Sequence, residues 1–255
     1  MNKNEIFSHY SKVIDELLDS SMWMQAWFQQ PTWLDNHICG EDFDELPSNI
    51  SINDGATRGC IIDDNYDYVV KFDIEEDNFG SACEREEEIY RAAKAYEMDQ
   101  YLNEIAYIGT YTRTFYFYNA DEIFQCCHVD YSYYDEDNFC AELEKHEDEM
   151  DLHQITISIP LYACARAYGY DCGPVDNDLI SRAQKIYSPL REKNLAVATA
   201  FIRDYGEEEY QLFSDFAIEN DINDLHLGNI GMVNNKLTII DYAGYHSGEE
   251  DENYY

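Results

Sequence analysis

Three side chains near the C-terminal end of the chain have the types and spacing that phosphoryl transfer requires. Asn229 follows Asp224 after five residues, and Asp241 follows Asn229 after twelve. Phosphoryl transfer uses one carboxylate to orient or deprotonate the attacking hydroxyl group, and an amide oxygen with a second carboxylate to hold Mg²⁺ on the nucleotide phosphates. The sequence therefore predicts Asp224 as the base or orienting group, and Asn229 and Asp241 as Mg²⁺ ligands.

The residues between Asn229 and Asp241 predict a β-hairpin. Ile230 to Val233 and Leu237 to Ile240 are short apolar runs, and Asn234-Asn235 between them is a two-residue turn signal. A hairpin of this length places the two predicted Mg²⁺ ligands at the ends of one local structure. Asp and Asn are also common turn residues, and this chain is rich in both, so an ordinary turn is the alternative interpretation.

The run Asp224-Leu-His-Leu-Gly-Asn229 resembles the catalytic loop of the protein-kinase-like superfamily, and Asp241-Tyr-Ala-Gly244 takes the place of its Asp-Phe-Gly element. His226 makes the run more similar to the aminoglycoside phosphotransferase and fructosamine kinase branch than to eukaryotic protein kinases, which have His-Arg where this chain has Ile222-Asn223. The pattern is also similar to small kinase-like proteins of bacteriophages. The resemblance implies a two-lobed α+β fold and a phosphotransferase that uses ATP and Mg²⁺.

The same resemblance implies a glycine loop and a strand lysine earlier in the chain. Gly55 and Gly59 enclose a loop before the apolar Cys60-Ile61-Ile62, although they depart from the full G-x-G-x-x-G pattern. Asp63-Asp64-Asn65 predicts a turn, after which Lys71 falls on the second strand of a hairpin. The resemblance assigns Gly55 and Gly59 to the phosphate loop and Lys71 to the α/β-phosphates. Without it, the segment is an ordinary hairpin edge.

A helix is predicted over Cys83 to Ala93, where residues of one face recur every three or four positions. That face includes one carboxylate, either Glu86 or Glu87. Glu86 fits better because Tyr90 follows it at four positions, and a merely solvated glutamate is the further alternative. The resemblance implies that this glutamate pairs with Lys71.

Three runs rich in aromatic and β-branched residues complete the predicted antiparallel sheet: Glu104 to Ile108, Thr114 to Tyr118, and Glu122 to Val129. By resemblance, the last run leads into a hinge that places Cys127 to Tyr131 near the adenine. Beyond the hinge, apolar spacing predicts helices, with Asn177 or Asp178 as one cap and a division at Pro189. A final helix over Glu207 to Glu219 would lead the chain to the catalytic loop.

The predicted organisation has three consecutive segments. Residues 1–50 form a helical extension with an amphipathic stripe that packs on one lobe. The stripe consists of Ile6, Tyr10, Val13, Ile14, Leu17 and Leu18. Residues 51–131 form the kinase-like N-lobe, a small antiparallel sheet with one helix, and the hinge. Residues 132–255 form a helical C-lobe that carries the catalytic loop, is truncated soon after Asp241 and ends in an acidic tail.

The charge balance supports a second hypothesis. The chain has 53 acidic and 16 basic residues and a formal net charge of -37, far more than solubility requires. Such a field repels nucleic acids and acidic membranes and attracts basic protein surfaces. The chain could therefore be a catalytically silent kinase-fold protein that mimics nucleic-acid phosphates and inhibits a basic DNA- or RNA-binding protein.

Four acidic runs would supply the charge: Glu84 to Glu88, Asp135 to Asp137, Glu207 to Glu209 and Glu249 to Glu252. Each run alone is more often a solvated helix face or tail.

A third hypothesis is a small-molecule kinase for an aminoglycoside-like or sugar substrate, because the catalytic-loop run resembles that branch and an acidic surface suits a cationic substrate. We expect no direct nucleic-acid partner and no membrane partner. The chain has no apolar run long enough to span a bilayer and no signal peptide. This favours a cytoplasmic protein, in the host cytoplasm if it is encoded by a phage. The eight cysteines include no Cys-x-x-Cys pair, which favours reduced thiols.

Overall fold

The computed structural model describes residues 1–20, 25, 28, 47–54, 58–73, 80–118, 152–171, 176–186 and 192–243. These residues form a mixed α+β structure with a five-stranded antiparallel sheet, a separate two-stranded hairpin and five α-helices. The chain divides into two compact units. The first unit comprises Met1–Glu75 and Tyr107–Ala163, and the second comprises Glu76–Ala106 and Cys164–Tyr255. The three consecutive segments with boundaries at residues 50 and 131 stay a prediction.

The sheet of the first unit has the strand order β1-β2-β3-β5-β4. Its strands are β1 Ile50–Asp54, β2 Arg58–Asp63, β3 Tyr68–Asp73, β4 Ile105–Tyr118 and β5 Leu152–Ala165. Their β-branched and aromatic residues fit a pleated, half-buried surface. The predicted hairpin with Lys71 on its second strand is confirmed, because β2 pairs with β3 across a turn at Asp64-Asn65 and Cys60 stands opposite Lys71.

Helix α1, Lys3–Ser20, packs against this sheet and buries the stripe predicted from the sequence. The buried positions recur every three or four residues: Ile6, Tyr10, Val13, Ile14, Leu17 and Leu18. They share one hydrophobic core with the sheet residues Ile61, Val70 and Phe72. The helix is also held by a polar contact, since the buried hydroxyl of Tyr10 donates a hydrogen bond to the backbone oxygen of Tyr68.

Two of the strand predictions are wrong in detail. The runs Glu104 to Ile108 and Thr114 to Tyr118 are not separate strands, because the single strand β4 extends from Ile105 to Tyr118 and includes both except Glu104. The helical pattern predicted beyond residue 131 is wrong for Leu152–Ala165, which forms β5. In β5 the odd-numbered Ile157, Ile159 and Leu161 are buried, and the residues between them are exposed, as the two-residue period of a strand requires. The predicted strand over Glu122 to Val129 and the predicted hinge over Cys127 to Tyr131 lie outside the described residues.

The second unit contains the remaining helices and the segment from Asp224 to Asn229. Its helices are α2 Ala82–Ala95, α3 Asn177–Ile186, α4 Glu192–Tyr205 and α5 Glu207–Glu219. Two 3-10 turns, Asp99–Tyr101 and Leu227–Asn229, accompany them. The hairpin consists of β6 Ile230–Val233 and β7 Lys236–Ile239. None of the described helices combines the length and hydropathy that crossing a bilayer requires.

Helix α5 is confirmed over the predicted residues, and Gly206, with a φ of 98°, separates it from α4. Its predicted inner face is buried, including Tyr210, Phe213 and Phe216. The ring of Phe213 stacks on Phe201 of α4 with centroids 5.0 Å apart. Three glutamates occupy the first turn of α5, where negative charge is favourable for the helix dipole. Aromatic packing therefore anchors the helix that precedes Asp224 in the chain.

The N-cap of α3 is Asp176, whereas the sequence predicts Asn177 or Asp178. Asp176 Oδ1 accepts hydrogen bonds from the backbone N–H groups of Asp178, at 2.9 Å, and Leu179, at 3.2 Å. Acceptance from the second and third helical residues is the geometry of an N-cap. Three consecutive Asp or Asn residues have nearly equal capping preference, so their types alone do not select one. Pro189, predicted to divide a helix, lies outside the described residues, between the separate helices α3 and α4.

Candidate active site

The segment from Asp224 to Asn229 is closed by a hydrogen bond between its two ends. Asn229 Nδ2 donates to the backbone oxygen of Asp224 at 2.7 Å. The last three residues of the segment, Leu227–Asn229, form a 3-10 turn in which the Asn229 N–H donates to the backbone oxygen of His226 at 2.9 Å. The bond to Asp224 uses one of the two N–H donors of the Asn229 side-chain amide. Its Oδ1 remains an acceptor that can face a cation.

The predicted hairpin after Asn229 is confirmed, with its second strand one residue earlier than predicted. Asn234 and Asn235 have φ values of 52° and 62°, which is the type I′ turn that suits two-residue hairpins. Beyond the last strand pair, the N–H of Ile240 donates to the backbone oxygen of Asn229 at 2.9 Å. Asp241 therefore directly follows a residue that is bonded to Asn229. The structure brings Asp224, Asn229 and Asp241 into one local arrangement.

The partly exposed imidazole of His226 lies close to both Asp224 and Gly228 of this segment. Its Nδ1 accepts a hydrogen bond from the N–H of Gly228 at 3.1 Å, so a neutral ring carries its proton on Nε2. That Nε2 lies 3.7 Å from Asp224 Oδ2. Gly228 has no room for a side chain here, because a Cβ would stand 2.8 Å from His226 Cε1. The histidine singled out by its place in the motif thus shapes the loop around the predicted base.

Helix α2 places Glu86, rather than Glu87, in the interior. The Glu86 side chain is fully buried and its Oε1 accepts a hydrogen bond from the backbone N–H of Tyr242 at 3.1 Å. Glu87 is half-buried and its carboxylate lies 3.9 Å from Arg91 on the next turn. The second unit therefore connects the predicted helix glutamate to the residue that follows Asp241.

Lys71 and Arg58 lie on the same face of the β2-β3 hairpin in the first unit. Cys60 pairs with Lys71 and Arg58 pairs with Asp73. Because side chains alternate between the two faces of a strand, Arg58, Cys60 and Lys71 share one face. Ile61 points to the opposite face, into the core formed with α1. Two of the basic residues of a strongly acidic chain are thus diagonal neighbours on one sheet face, with Cα atoms roughly 7–8 Å apart.

The predicted glycine loop is only partly described. Gly59 is buried within β2, where it stands opposite Phe72 and Asp54, and Gly55 lies outside the described residues. Gly59 and Lys71 belong to the first unit, whereas Glu86 and the Asp224, Asn229 and Asp241 cluster belong to the second. The pairing of Lys71 with Glu86 stays a prediction.

The two predicted metal ligands of the second unit, a carboxylate and an amide, are of the oxygen-donor types that bind Mg²⁺. In the described part of the chain, no group of three or more His, Cys, Asp or Glu side chains could hold a metal ion by itself. Mg²⁺ is usually held by one or two carboxylates, with substrate phosphates and water completing its shell. The Asp241 carboxylate and the Asn229 amide oxygen are a donor set of that kind.

Comparison with protein-family models, characterised proteins and solved structures finds no match for this chain. The assignment of a function therefore depends on the chemistry and geometry of its own residues.

Two further residues of this cluster were not predicted from the sequence, Tyr242 and Asn103. The buried hydroxyl of Tyr242 donates to the backbone oxygen of Asn103 at 2.7 Å. Asn103 in turn donates from its backbone to Ile239 at 2.8 Å and from Nδ2 to the backbone oxygen of Ala165 at 2.8 Å. The sequence signal for Asn103 is its position between the apolar Leu102 and the strand-like Ile105. This signal alone does not show that the asparagine is buried or which groups it binds.

Proposed function

We propose that the chain is a kinase-like phosphotransferase, with a two-lobed fold, that transfers the γ-phosphoryl group of ATP to a hydroxyl group of an unidentified protein or small molecule. The proposal depends on the cluster of Asp224, Asn229 and Asp241. It also depends on the order of the elements along the chain, since a sheet with Lys71 and a helix with Glu86 precede the helices that lead to the catalytic loop.

The observation that carries the proposal is the hydrogen bond from Asn229 Nδ2 to the Asp224 backbone oxygen. In an Asx turn, the Oδ1 of the asparagine accepts a hydrogen bond from the backbone N–H two residues further along the chain. Asn229 instead donates across five residues and keeps Oδ1 for another ligand. This favours a metal-ligand role over the ordinary-turn alternative.

On this proposal each residue has a defined role. The Asp224 carboxylate orients the acceptor hydroxyl and takes its proton, while a new oxygen–phosphorus bond forms and the bond to the ADP oxygen breaks. Asn229 Oδ1 and Asp241 would hold Mg²⁺, which when bound neutralises phosphate charge. Lys71 contacts the α/β-phosphates, and Glu86 pairs with it. The Gly55 to Gly59 loop covers the phosphates.

The charge of the protein bears directly on nucleotide binding. A net charge of -37 opposes the approach of an anionic nucleotide. Lys71 and Arg58, on one sheet face, together with bound Mg²⁺, offset this locally. We therefore expect ATP affinity to depend strongly on both Mg²⁺ and ionic strength.

Calorimetric titration of ATP, with and without Mg²⁺, tests the proposal. Wild type should bind ATP more tightly when Mg²⁺ is present, and Asp241→Ala should lose that gain. Asp215→Ala is the matched control, because Asp215 is an exposed acid on α5 whose removal changes the net charge equally. Absence of Mg²⁺-dependent binding by wild type at low salt, or an equal loss in the control, would contradict the proposal.

The net charge favours a second candidate, a catalytically silent acidic protein that mimics nucleic acid and inhibits a basic DNA- or RNA-binding protein. Two acidic runs lie within the described residues, and both are partly occupied by internal contacts. Glu86 is buried, Glu207 pairs with Arg182, and Glu209 accepts from the hydroxyl of Tyr101. In these runs the exposed glutamates are Glu84, Glu88 and Glu208.

The two candidates differ in what they expect of the same variants. For the acidic decoy, Asp224→Ala and Asp241→Ala leave partner binding unchanged, whereas replacing Glu84, Glu88 and Glu208 with Gln weakens it. Partner binding should also weaken steeply as salt is raised. For the phosphotransferase, the same Gln substitutions preserve Mg²⁺-dependent ATP binding.

A further inference from the structure

We infer that Tyr242 is the positioning residue of the proposed active site, and that it sets the place of Asp241 through Glu86 and Asn103. The inference rests on the proposed function, because it assigns a role in holding the predicted Mg²⁺ ligand. Tyr242 directly follows Asp241 and is almost fully buried, with 1% of its surface exposed. The Asp-Phe-Gly element has a phenylalanine at this position, so the hydroxyl group of Tyr242 is the part of the side chain that the motif does not account for.

Both residues next to Asp241 in the chain are fixed by hydrogen bonds. On one side, the N–H of Ile240 donates to the backbone oxygen of Asn229 at 2.9 Å. On the other side, the N–H of Tyr242 donates to Glu86 Oε1 at 3.1 Å. The two bonds hold the backbone before and after Asp241, so its carboxylate leaves the chain in a defined direction. One of these bonds ends on Asn229, the second predicted Mg²⁺ ligand.

The far end of the Tyr242 side chain is fixed as well. Its hydroxyl donates to the backbone oxygen of Asn103 at 2.7 Å in a buried contact. Asn103 is itself anchored to the hairpin, because its N–H donates to Ile239 and Leu102 bridges Ile239 in parallel. If the segment after Asp241 were flexible, the Asp241 carboxylate could adopt many orientations. A tyrosine that is held at both its N–H and its hydroxyl restricts the carboxylate to few orientations.

The burial of Glu86 agrees with this role. A buried carboxylate is unfavourable unless hydrogen bonds or opposite charges compensate it. The other buried residues of α2 are apolar: Ala82, Cys83, Ile89 and Ala93. One oxygen of Glu86 accepts a hydrogen bond from the backbone beside Asp241, which compensates part of this cost. Groups that orient a metal ligand in this way commonly change metal affinity roughly 10–100-fold when they are removed.

Tyr242→Phe tests the inference because it removes one hydroxyl and preserves the ring. Calorimetry should show that the Mg²⁺ concentration needed for tight ATP binding rises roughly 10-fold, while binding of ATP without Mg²⁺ is unchanged. Tyr10→Phe is the matched control. Tyr10 is also a buried tyrosine whose hydroxyl donates to a backbone oxygen, in the first unit, and its loss should leave the Mg²⁺ requirement unchanged.

An unchanged Mg²⁺ requirement in Tyr242→Phe, or an equal change in Tyr10→Phe, would overturn the inference. If wild type binds no nucleotide, the proposed function fails, and amide hydrogen exchange then decides the positioning role by itself. Faster exchange at Ile240 and Tyr242 in Tyr242→Phe than in wild type supports the role, because the anchored segment has loosened. Exchange at the wild-type rate rejects it.

Discussion

Tyr168 and Met232 exchange two backbone hydrogen bonds, at 3.0 and 2.8 Å, and so join the chain after β5 to strand β6. Because these two segments lie so close together, there is no space for a side chain at the neighbouring Gly231. A Cβ there would stand 2.9 Å from the Cβ of Ala167 and 3.1 Å from the backbone oxygen of Tyr168. Close packing therefore requires a glycine at this position of strand β6.

Gly231→Ala should destabilise the protein, because the added methyl group meets backbone that cannot move without breaking the Tyr168–Met232 pair. We expect the free energy of unfolding to fall by about 1–3 kcal/mol, measured by urea denaturation. Gly169→Ala is the matched control, since a Cβ at Gly169 meets nothing within 4 Å. Equal stability of the two variants would show that the close approach is relieved without cost.

Asp224→Ala should abolish phosphoryl transfer and preserve nucleotide binding, because Asp224 acts on the acceptor hydroxyl and not on the phosphates. ADP release in the presence of Mg²⁺, with water as the acceptor, measures turnover, and calorimetry measures binding. Asp221→Ala removes an equal charge from the same segment, at an exposed residue paired with Arg85. The assignment fails if Asp224→Ala turns over ATP at the wild-type rate.

Asn229→Asp separates the two functions of the Asn229 side chain. The substitution keeps an oxygen ligand for Mg²⁺ but removes the donor that closes the loop on Asp224. We expect Mg²⁺-dependent ATP binding to persist, turnover to fall by about 10-fold or more, and stability to fall by about 1 kcal/mol. The same calorimetric, kinetic and denaturation measurements check this. Wild-type turnover in Asn229→Asp would mean that the loop bond does not position Asp224.

The stability of the first unit should depend on the ionisation of Asp63. Burial raises the pKa of its carboxyl, but hydrogen bonds from Asn49 and from the backbone N–H of Asn65, with His9 alongside, outweigh burial and lower the pKa. His9 Nε2 on α1 lies 3.0 Å from Asp63 Oδ2. A carboxyl group whose pKa is lowered by folding stabilises the folded state at any pH above its pKa in the unfolded chain. This contribution is lost as the pH falls through the pKa of the folded state.

Asp63→Asn should be less stable than wild type at pH 7, because it lacks this carboxylate. Below about pH 4, the ordinary range of an aspartate pKa, we expect wild type to lose the same stability. Denaturation curves from pH 7 downward should converge for the two proteins. Asp64→Asn is the matched control, because Asp64 is the exposed neighbour, and its stability should follow that of wild type. A constant difference between wild type and Asp63→Asn across this range would contradict the prediction.

Salt should stabilise the folded protein. Repulsion among surplus acidic groups, at a net charge of -37, opposes compaction and is screened within about 10 Å at 0.1 M salt. We expect Tm to rise by on the order of several degrees between 0.01 and 0.5 M salt. NaCl and KCl should give the same rise if screening is the cause. A fall in Tm would show instead that specific ion pairs, such as that of Arg113 with Asp15 and Asp19, dominate.

The sequence predicts the hairpin of β6 and β7 well because its determinants are local. Asn234 and Asn235 tolerate positive φ, the flanking apolar runs set the strands, and Gly206 ends one helix before α5 begins. The inner faces of α1 and α5 follow from apolar spacing alone. Each of these features is decided by residues a few positions apart.

Features that depend on distant residues could not be predicted in this way. Strand β5 contains Pro160, which has no N–H for pairing and is unusual in a strand that lies between two others, so the alternation of Ile157, Ile159 and Leu161 is easily missed. The structural role of Asn103 depends on its hydrogen bonds with Ala165 and Tyr242, which are 62 and 139 residues away in the sequence. Their significance emerges only from tertiary contacts.

The packing of α1 has a practical consequence for producing this protein. The predicted boundary at residue 50 would separate a helix from the sheet with which it shares a hydrophobic core. A shortened chain that begins there would expose the apolar side of β2 and β3, including Ile61, Val70 and Phe72, to water. Residues 3–20 are thus part of the smallest unit that can be expected to stay in solution, and biochemical work should begin from the full chain.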